Sequence, residues 1–417
     1  MIMWFLTIVY LSIFTIISFK KIEYSFFLLA LFLPTYLLRF NFLEIPTTFL
    51  ELQIIILIII SFIKYKNEII NNLKINFKKN KLLYISILLF LFFATVSILF
   101  NHNTKQALGE WKAFYLEPII LFFIITNISI DIKKYIINGL LMSGLATSLF
   151  AIYQHFTGFF VPYAFWENLN TYRVTAWYGF PNGVGLFLAP IFAIALYNLK
   201  NHSVKSWPFL LGTLFIITSL PAIFFAKSTG ALVSIFSAIF LILLFYKKTR
   251  WIIIILTIFS SLLIFNLPKL QNIKTELILQ DRSGQIRIGI WKETLEYLKD
   301  HPIKGSGLGS YSQEIKTYHQ KVNGEYIEIY HHPHNIFLTI WVNTGLIGLL
   351  SFIIILVYIL HKNIKEKNIY NNFLLLSLLM LLITGLVDSP YIKNDLAILF
   401  WFLIYLSLSK KIINYTN

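Results

Sequence analysis

Three histidines stand within four positions, at His331, His332 and His334, directly ahead of an apolar run that begins at residue 336. A histidine with an ordinary pKa of about 6.5 can accept a proton at neutral pH, so the cluster can supply a general base. His334 lies nearest the apolar run, and Asn335 beside it can cap a helix or orient a substrate. The alternative is a polar cap on a membrane helix, without chemistry.

A metal site is a third interpretation of the histidine cluster, and its ligand set is poor. Zinc is held by about four ligands in a tetrahedral array. His331 and His334 enclose Pro333, the nearby carboxylates Glu325 and Glu328 lie on an undefined segment, and the chain has no cysteine. We therefore predict no bound metal.

The arginines form a second group of candidates, because lysine is the default cation of this chain. Arg173, Arg282 and Arg287 lie in the two long polar segments. A guanidinium grips phosphate oxygens with two parallel hydrogen bonds, which an ammonium cannot do. These residues predict an anionic ligand such as a diphosphate headgroup; the alternative is surface salt bridges with neighbours such as Asp281 and Glu293.

Weaker candidates accompany these residues. Lys112 precedes Glu117, a carboxylate within an apolar run, where an ionised group is costly. A pocket-lining role and a structural hydrogen bond between helices are both open for this pair. Trp291 can stack on a sugar ring or simply pack against its neighbours.

The composition predicts an integral membrane protein. The 417 residues are 57% hydrophobic and 13% charged, and the apolar residues lie in runs long enough to span a bilayer. Soluble domains carry about twice that share of charge. The net charge of +16 comes from lysine clusters between apolar runs, so it indicates positive-inside topology and not nucleic-acid binding.

About thirteen apolar runs predict an all-α polytopic protein of about 12–13 transmembrane helices. The runs lie near residues 2–19, 24–38, 47–63, 82–100, 114–130, 135–158, 182–199, 207–226, 229–246, 251–267, 336–360, 371–387 and 396–409. Lysine clusters occupy alternate loops, which places those loops and the C-terminus in the cytoplasm. The last of these clusters is Lys410-Lys411.

Two substantial segments then lie on the external face, at residues 159–181 and 268–335. The chain reads as a single membrane domain, 1–417, whose large helical external loop at 268–335 carries part of the active site. Within it, residues 284–302 predict an amphipathic helix with Arg287, Trp291, Leu295 and Leu298 on one face. The sequence GSGLG at 305–309 predicts a tight turn and lacks dinucleotide-binding spacing.

The segments RIGIWKETLEYLKDHPIKGSGLGSY and HHPHNIFLTIWVNTGLIGLLSF resemble the O-antigen ligase and O-antigen polymerase superfamily. The family pattern is an arginine with a tryptophan four residues on, a P-x-x-G-x-G turn, and H-N-x-x-L leading into G-L-x-G. The matching residues are Arg287, Trp291, Pro302, Gly305, Gly307, His334, Asn335, Leu338, Gly345, Leu346 and Gly348.

A second block, IYQHFTG at 152–158, then Arg173, then FPNGVGLFLAP at 180–190, is similar to further elements of the family. One departure is KSTG at 227–230, where the family often has Ser-Arg-Gly, so that Lys227 stands in for an arginine. The family usually has about twelve helices, which makes the N-terminal run an addition.

The resemblance implies a membrane-embedded glycosyltransferase that requires no metal or other cofactor. Its partners would be a glycan donor on a polyprenyl (undecaprenyl) diphosphate, a glycolipid or glycan acceptor, and membrane lipids. Carried over, Arg173 and Arg287 bind the diphosphate and His334 is the base. We expect Arg282, Lys227 and Lys112 to contribute to the same anionic site, and Asn335 and Trp291 to contact substrate.

The resemblance further implies a cytoplasmic-membrane protein with its active site on the external or periplasmic face. Ligase and polymerase share these motifs, so both activities stay open. Two other classes also compete. A metal-dependent membrane transferase would need paired acidic residues in the first outer loop, which offers only Glu44. A lipid-linked glycan transporter would show repeated halves and matching broken helices, and the sequence shows neither.

Overall fold

The computed structural model describes residues 2–42, 45–167, 172–245, 247–366 and 369–408, and most of them are helical. The helices are α1 (Ile2–Lys20), α2 (Ile22–Leu31), α3 (Phe49–Lys79), α4 (Lys81–Val96), α5 (Thr104–Glu110), α6 (Glu117–Asn127), α7 (Lys133–Thr157), α8 (Asn182–Asn201), α9 (Trp207–Phe225), α10 (Thr229–Phe245), α11 (Arg250–Asn266), α12 (Gln271–Leu277), α13 (Arg282–Asp300), α14 (Tyr311–Glu314), α15 (Ile336–Glu366), α16 (Ile369–Thr384) and α17 (Asn394–Leu408).

Two short antiparallel hairpins complete the described elements. β1 (Arg39–Phe42) pairs with β2 (Ile45–Thr48) ahead of α3, and β3 (Lys321–Val322) pairs with β4 (Glu325–Tyr326) ahead of α15. Because helices dominate the described residues and these hairpins are so short, the predicted all-α polytopic fold class is confirmed.

Each predicted apolar run coincides with a helix, but the number of long spans is smaller than predicted. Among the described residues, five helices are long and apolar enough to cross a membrane, and a bent pair at residues 250–300 would make a sixth. Several other runs form shorter helices, because polar or irregular turns interrupt them. The run at 114–130, for example, begins in a π-helical turn at Trp111–Leu116 before α6 starts at Glu117.

The lysine clusters gather at one end of the helix bundle. Side-chain hydrogen bonds tie helix ends together there: Lys64 Nζ donates to the Phe19 carbonyl, Tyr358 Oη to Asn80 Oδ1, and Lys362 Nζ to the Leu408 carbonyl. The histidine cluster and Arg287 lie beyond the opposite ends of the long helices. The cluster Lys410-Lys411 lies outside the described residues.

Burial separates central helices from peripheral ones. Every described side chain from Leu396 to Ser407 in α17 is buried, and so are most side chains of α8. Such helices are apolar all round because other helices surround them. In α11, by contrast, no side chain is buried, so its apolar surface is left to lipid.

The segment between α11 and α15 contains the predicted amphipathic helix as α13. Its buried side chains follow the helical repeat from Ile290 through Thr294 and Tyr297 to Leu298. The face differs from the one predicted, because Leu295 is largely exposed and the buried Glu293 takes the inner position. The helix ends at Asp300, two residues before the predicted bound, and His301 follows its last residue.

A glycine break in α15 holds this segment against the bundle. Gly345 has φ 72° and ψ 178°, a conformation that glycine adopts almost alone. A Cβ at this position would lie 2.0 Å from the carbonyl oxygen of Ile303, and the amide of Leu346 donates to that same oxygen. The chain beyond α13 therefore packs directly onto the α15 backbone.

Gly345→Ala is expected to lower the free energy of unfolding by roughly 2–3 kcal/mol, because it adds both backbone strain and a clash. Thermal unfolding in detergent measures the effect. The control is Gly109→Ala in α5, where an added Cβ meets no atom within 4 Å. Equal unfolding temperatures for the two variants would contradict the constraint at Gly345.

Candidate functional site

Two adjoining cavities open at the end of the bundle opposite the lysine clusters. The first has a volume of about 380 Å³ and the second about 430 Å³. Asn182, Asp281, Ser283 and Arg287 line both of them. Segments distant in the sequence therefore meet at one site.

Each cavity adds its own polar side chains to these shared residues. The first adds Arg173, Lys227, Ser228, Thr229, Glu276, Thr384 and Asp388, together with apolar side chains of α8, α10 and α16. The second adds Arg282, Tyr330 and His334.

The guanidinium of Arg173 is fixed by three hydrogen bonds. Its Nε donates to the Ala226 carbonyl at 2.9 Å, and its Nη2 donates to Asn182 Oδ1 at 2.9 Å and to the Lys227 carbonyl at 3.1 Å. Burial, and then the charge of Arg287, lower the pKa of Arg173 from its ordinary value. The cation is thus held in a partly desolvated place beside a second cation, which favours an anionic ligand.

Arg287 reaches the cavities from the first turns of α13. The carboxylate of Asp281 caps this helix by accepting hydrogen bonds from the amides of Ser283 and Gly284, both at 3.2 Å. Arg287 Nη1 donates to Ser283 Oγ one turn earlier, at 2.9 Å. Within the described residues, neither Arg173 nor Arg287 forms an ion pair, so the surface salt bridges considered from sequence do not form.

His334 belongs to a chain of hydrogen bonds that ends at Arg173. Its Nδ1 lies 3.4 Å from Asp388 Oδ1, and Asn182 Nδ2 donates to the other oxygen, Oδ2, at 2.9 Å. Asn182 in turn accepts from Arg173. His334 has φ 48°, a left-handed conformation that is costly for a residue with a Cβ. The surrounding contacts hold the ring in this position.

The ionisation states distinguish the histidines. Burial works against the charge of Asp388, yet the hydrogen bond from His334 and the charges of His334 and His332 outweigh it, so the pKa of Asp388 lies below its ordinary value. Burial lowers the pKa of His332 to about 3, with a further contribution from His334, which makes His332 a poor base. His331 is exposed and lines neither cavity.

Two of the predicted substrate-binding residues have structural partners instead. Asn335 Oδ1 accepts from the amides of Phe337 and Leu338 at the start of α15, and its Nδ2 donates to the Leu386 carbonyl. Trp291 Nε1 donates to the Pro333 carbonyl at 3.0 Å. Neither side chain lines the two cavities; both hold the backbone on either side of His334.

Three further cations were predicted near the site, and the structure brings two of them to it. Lys227 lines the first cavity and Arg282 the second. The structure does not bring Lys112 to the site, contrary to the prediction: it lines neither cavity and forms an ion pair of 2.9 Å with Glu51. Glu51 also closes a capping box with Thr48 at the start of α3, so this pair joins helices and is structural.

Asp388, Asn182 and Glu276 line the site and were not among the predicted site residues. Asp388 directly follows an apolar run, and a carboxylate at the end of a membrane helix could have marked it as a site residue. Asn182 lies within the second family block. Nothing in the sequence around Glu276 distinguishes it from other loop carboxylates.

Asp388→Asn removes the negative charge beside His334 while keeping the side-chain shape. Because the pKa of Asp388 is depressed in the folded protein, its charge stabilises the fold above about pH 4, and this contribution is lost as the pH falls lower. We expect wild type to exceed the variant by roughly 1–2 kcal/mol at neutral pH, with the difference shrinking below about pH 4. Thermal unfolding of both proteins from neutral pH to below about pH 4 measures the difference in stability. A difference that stays constant with pH would count against the pairing of Asp388 with His334.

Comparison with known proteins gives one family match and no match among curated proteins. A family model described as O-antigen ligase matches residues 214–353. This stretch holds Lys227, Glu276, Arg287 and His334, while Arg173 and Asp388 lie outside it. The matched stretch is about a third of the chain, and it supports the resemblance to the O-antigen ligase and polymerase superfamily that the sequence motifs indicate.

Proposed function

We propose that this protein is a membrane glycosyltransferase of the O-antigen ligase type. It would move a glycan from a polyprenyl diphosphate carrier to a sugar hydroxyl of an acceptor glycolipid or glycan. The observation that carries the proposal is the meeting of Arg173 and Arg287 on one cavity with His334 in the adjoining one. The family match supports the reaction class.

The two arginines would bind the diphosphate. Both guanidiniums line the first cavity, and Lys227 adds a third cation there. As the bond between the anomeric carbon and the diphosphate breaks, negative charge grows on the leaving oxygen. Fixed cations in a partly desolvated cavity stabilise that charge without reorganisation, which is the role a divalent metal ion plays in other transferases.

His334 would act as the general base. With Nδ1 held toward Asp388, the proton of a neutral imidazole resides on Nδ1, and Nε2 is left to accept. The acceptor hydroxyl loses its proton to Nε2 as its oxygen attacks the anomeric carbon, while the diphosphate leaves from the opposite side. One direct displacement inverts the anomeric centre. Asp388 is a positioning residue that also stabilises the imidazolium.

We place this site on the external or periplasmic face of the cytoplasmic membrane. The lysine clusters lie at the other end of the bundle, and positive charge favours the cytoplasm. Residues 268–335 would then be an external segment of one membrane domain, contributing Arg282 and Arg287 to the site. Apolar side chains that line the first cavity, including Leu186 and Val233, suit a lipid carrier that enters from the bilayer.

The first test follows glycan transfer from a polyprenyl-diphosphate glycan by mass spectrometry, in EDTA. We expect transfer by wild type, and a loss of about 10²–10⁴-fold in His334→Ala, because the proton has no acceptor. His331→Ala is the matched control and should keep its rate. Transfer abolished by EDTA would refute the metal-independent mechanism. Full activity of His334→Ala would show that His334 is not the general base.

The size of the product in the same assay separates two activities. One addition per acceptor indicates a ligase, and many additions indicate a polymerase of the same superfamily. Flipping of the carrier without transfer would indicate a lipid-linked glycan transporter.

Arg173→Lys and Arg287→Lys test the clamp. An ammonium at 287 keeps the charge but cannot form two parallel bonds to a phosphate, and an ammonium at 173 loses the three bonds that fix the guanidinium in the cavity. Each variant should therefore lose on the order of a hundredfold in kcat/KM for the donor. Arg250→Lys is the matched control, since Arg250 donates to the Leu244 carbonyl in the last turn of α10 and lines neither cavity. Full activity in both clamp variants would contradict a guanidinium-bound diphosphate.

A further inference from the structure

Three acidic side chains line the cavity assigned to an anion, and one of them, Glu276, has no evident structural role. Glu276, on α12, lines the first cavity together with Arg173, Lys227 and Arg287. Its Oε2 accepts a hydrogen bond of 3.0 Å from Thr229 Oγ1 at the start of α10. A carboxylate in this place opposes the binding of a diphosphate, so its presence calls for an explanation.

The other carboxylates of this cavity are committed to the fold. Asp281 caps α13 through two backbone amides, and Asp388 accepts from Asn182 and from the amide of Ser389. Glu276 has no such backbone partner among the described residues; its one hydrogen bond is to the Thr229 hydroxyl. Its charge acts on Arg173, since it opposes the lowering of the Arg173 pKa by burial and by Arg287.

The helix that carries Glu276 is weakly packed. No side chain of α12 is buried, and none of α11 before it. Segments with few buried contacts move at low cost in free energy. Glu276 is therefore held at the cavity wall chiefly by its hydrogen bond to Thr229, and only weakly by the packing of α12.

The proposed reaction changes the charge of the ligand in this cavity. The donor diphosphate is esterified at both ends and carries about two negative charges. After transfer, the spent carrier has a free terminal phosphate whose second proton is lost with a pKa of about 6, so its charge approaches three. A fixed carboxylate consequently repels the product more strongly than the donor.

We propose that Glu276 discriminates between donor and spent carrier by charge and promotes release of the polyprenyl diphosphate product. This inference rests on the proposed function, because it takes the cavity as the diphosphate site. Thr229 holds the carboxylate in the cavity between turnovers. The arginines bind the diphosphate, and Glu276 limits how tightly the more highly charged product is retained.

The test measures binding and needs no turnover. A C55 polyprenyl diphosphate and its terminal methyl ester, which has one charge fewer, are titrated in detergent against wild type and Glu276→Gln. We expect Glu276→Gln to bind the free diphosphate on the order of tenfold tighter, and the ester with a smaller gain. An unchanged or weaker affinity for the free diphosphate would overturn the proposal.

Thr229→Val distinguishes the effect of the Glu276 charge from the effect of the hydrogen bond that holds Glu276 in place. It removes the hydrogen bond to Glu276 but keeps the carboxylate, whereas Glu276→Gln keeps an acceptor for Thr229 and removes the charge. The ratio of the affinities for the ester and the free diphosphate should stay closer to the wild-type ratio in the valine variant than in Glu276→Gln. If both variants change that ratio equally, the hydrogen bond and not the charge sets the affinity, and the proposal fails.

Arg173→Ala in the same titration distinguishes failure of the inference from failure of the proposed function. Loss of diphosphate binding in Arg173→Ala, with no effect of Glu276→Gln, would leave the cavity as the diphosphate site and refute the role of Glu276. Unchanged binding in Arg173→Ala would refute the site itself. Equal unfolding temperatures of all variants show that each comparison is between folded proteins.

Discussion

The buried carboxylate of Asp388 is the interaction on which the site depends. A charge that is almost removed from water must be paired, and Asp388 is paired with His334 on one oxygen and Asn182 on the other. Through Asn182 the same network reaches Arg173. One buried charge therefore fixes the distance between the candidate base and the candidate anion clamp, although they come from three separate stretches of the chain.

Backbone strain lies around this network. Lys227 and His334 both adopt left-handed conformations, with φ 48° in each. Such conformations cost about 1–3 kcal/mol and persist where neighbouring contacts determine them. At Lys227 the carbonyl is oriented to accept from Arg173, and at His334 the ring is oriented toward Asp388. The packing of the helix bundle offsets this backbone strain, which occurs where the polar side chains converge.

The sequence predicts local features of this protein better than its long-range contacts. Apolar runs located the helices, and the pattern at 284–302 located the helix that carries Arg287 to within two residues at each end, because these features depend on neighbours in the chain. Asp388 pairs with a histidine 54 residues away, and that contact has no local pattern. The sequence could not show for the same reason that Lys112 lies away from the anionic site. Lys112 pairs with Glu51, which is 61 residues earlier in the sequence and comes close only in the folded bundle.

The two candidate clamp residues differ in how much of each guanidinium the fold occupies. In Arg173, Nε and Nη2 are bound to two carbonyls and an amide, whereas Nη1 has no hydrogen bond to the described residues. In Arg287, one nitrogen is bound to a serine hydroxyl on the same helix. A guanidinium has five N–H donors in one plane, so Arg173 presents Nη1 in a fixed position, while Arg287 keeps most of its donors open and can turn. A diphosphate bound here would meet one rigid nitrogen of Arg173 on one phosphate and the adjustable fork of Arg287 on the other, which suits a ligand whose charge moves during the reaction.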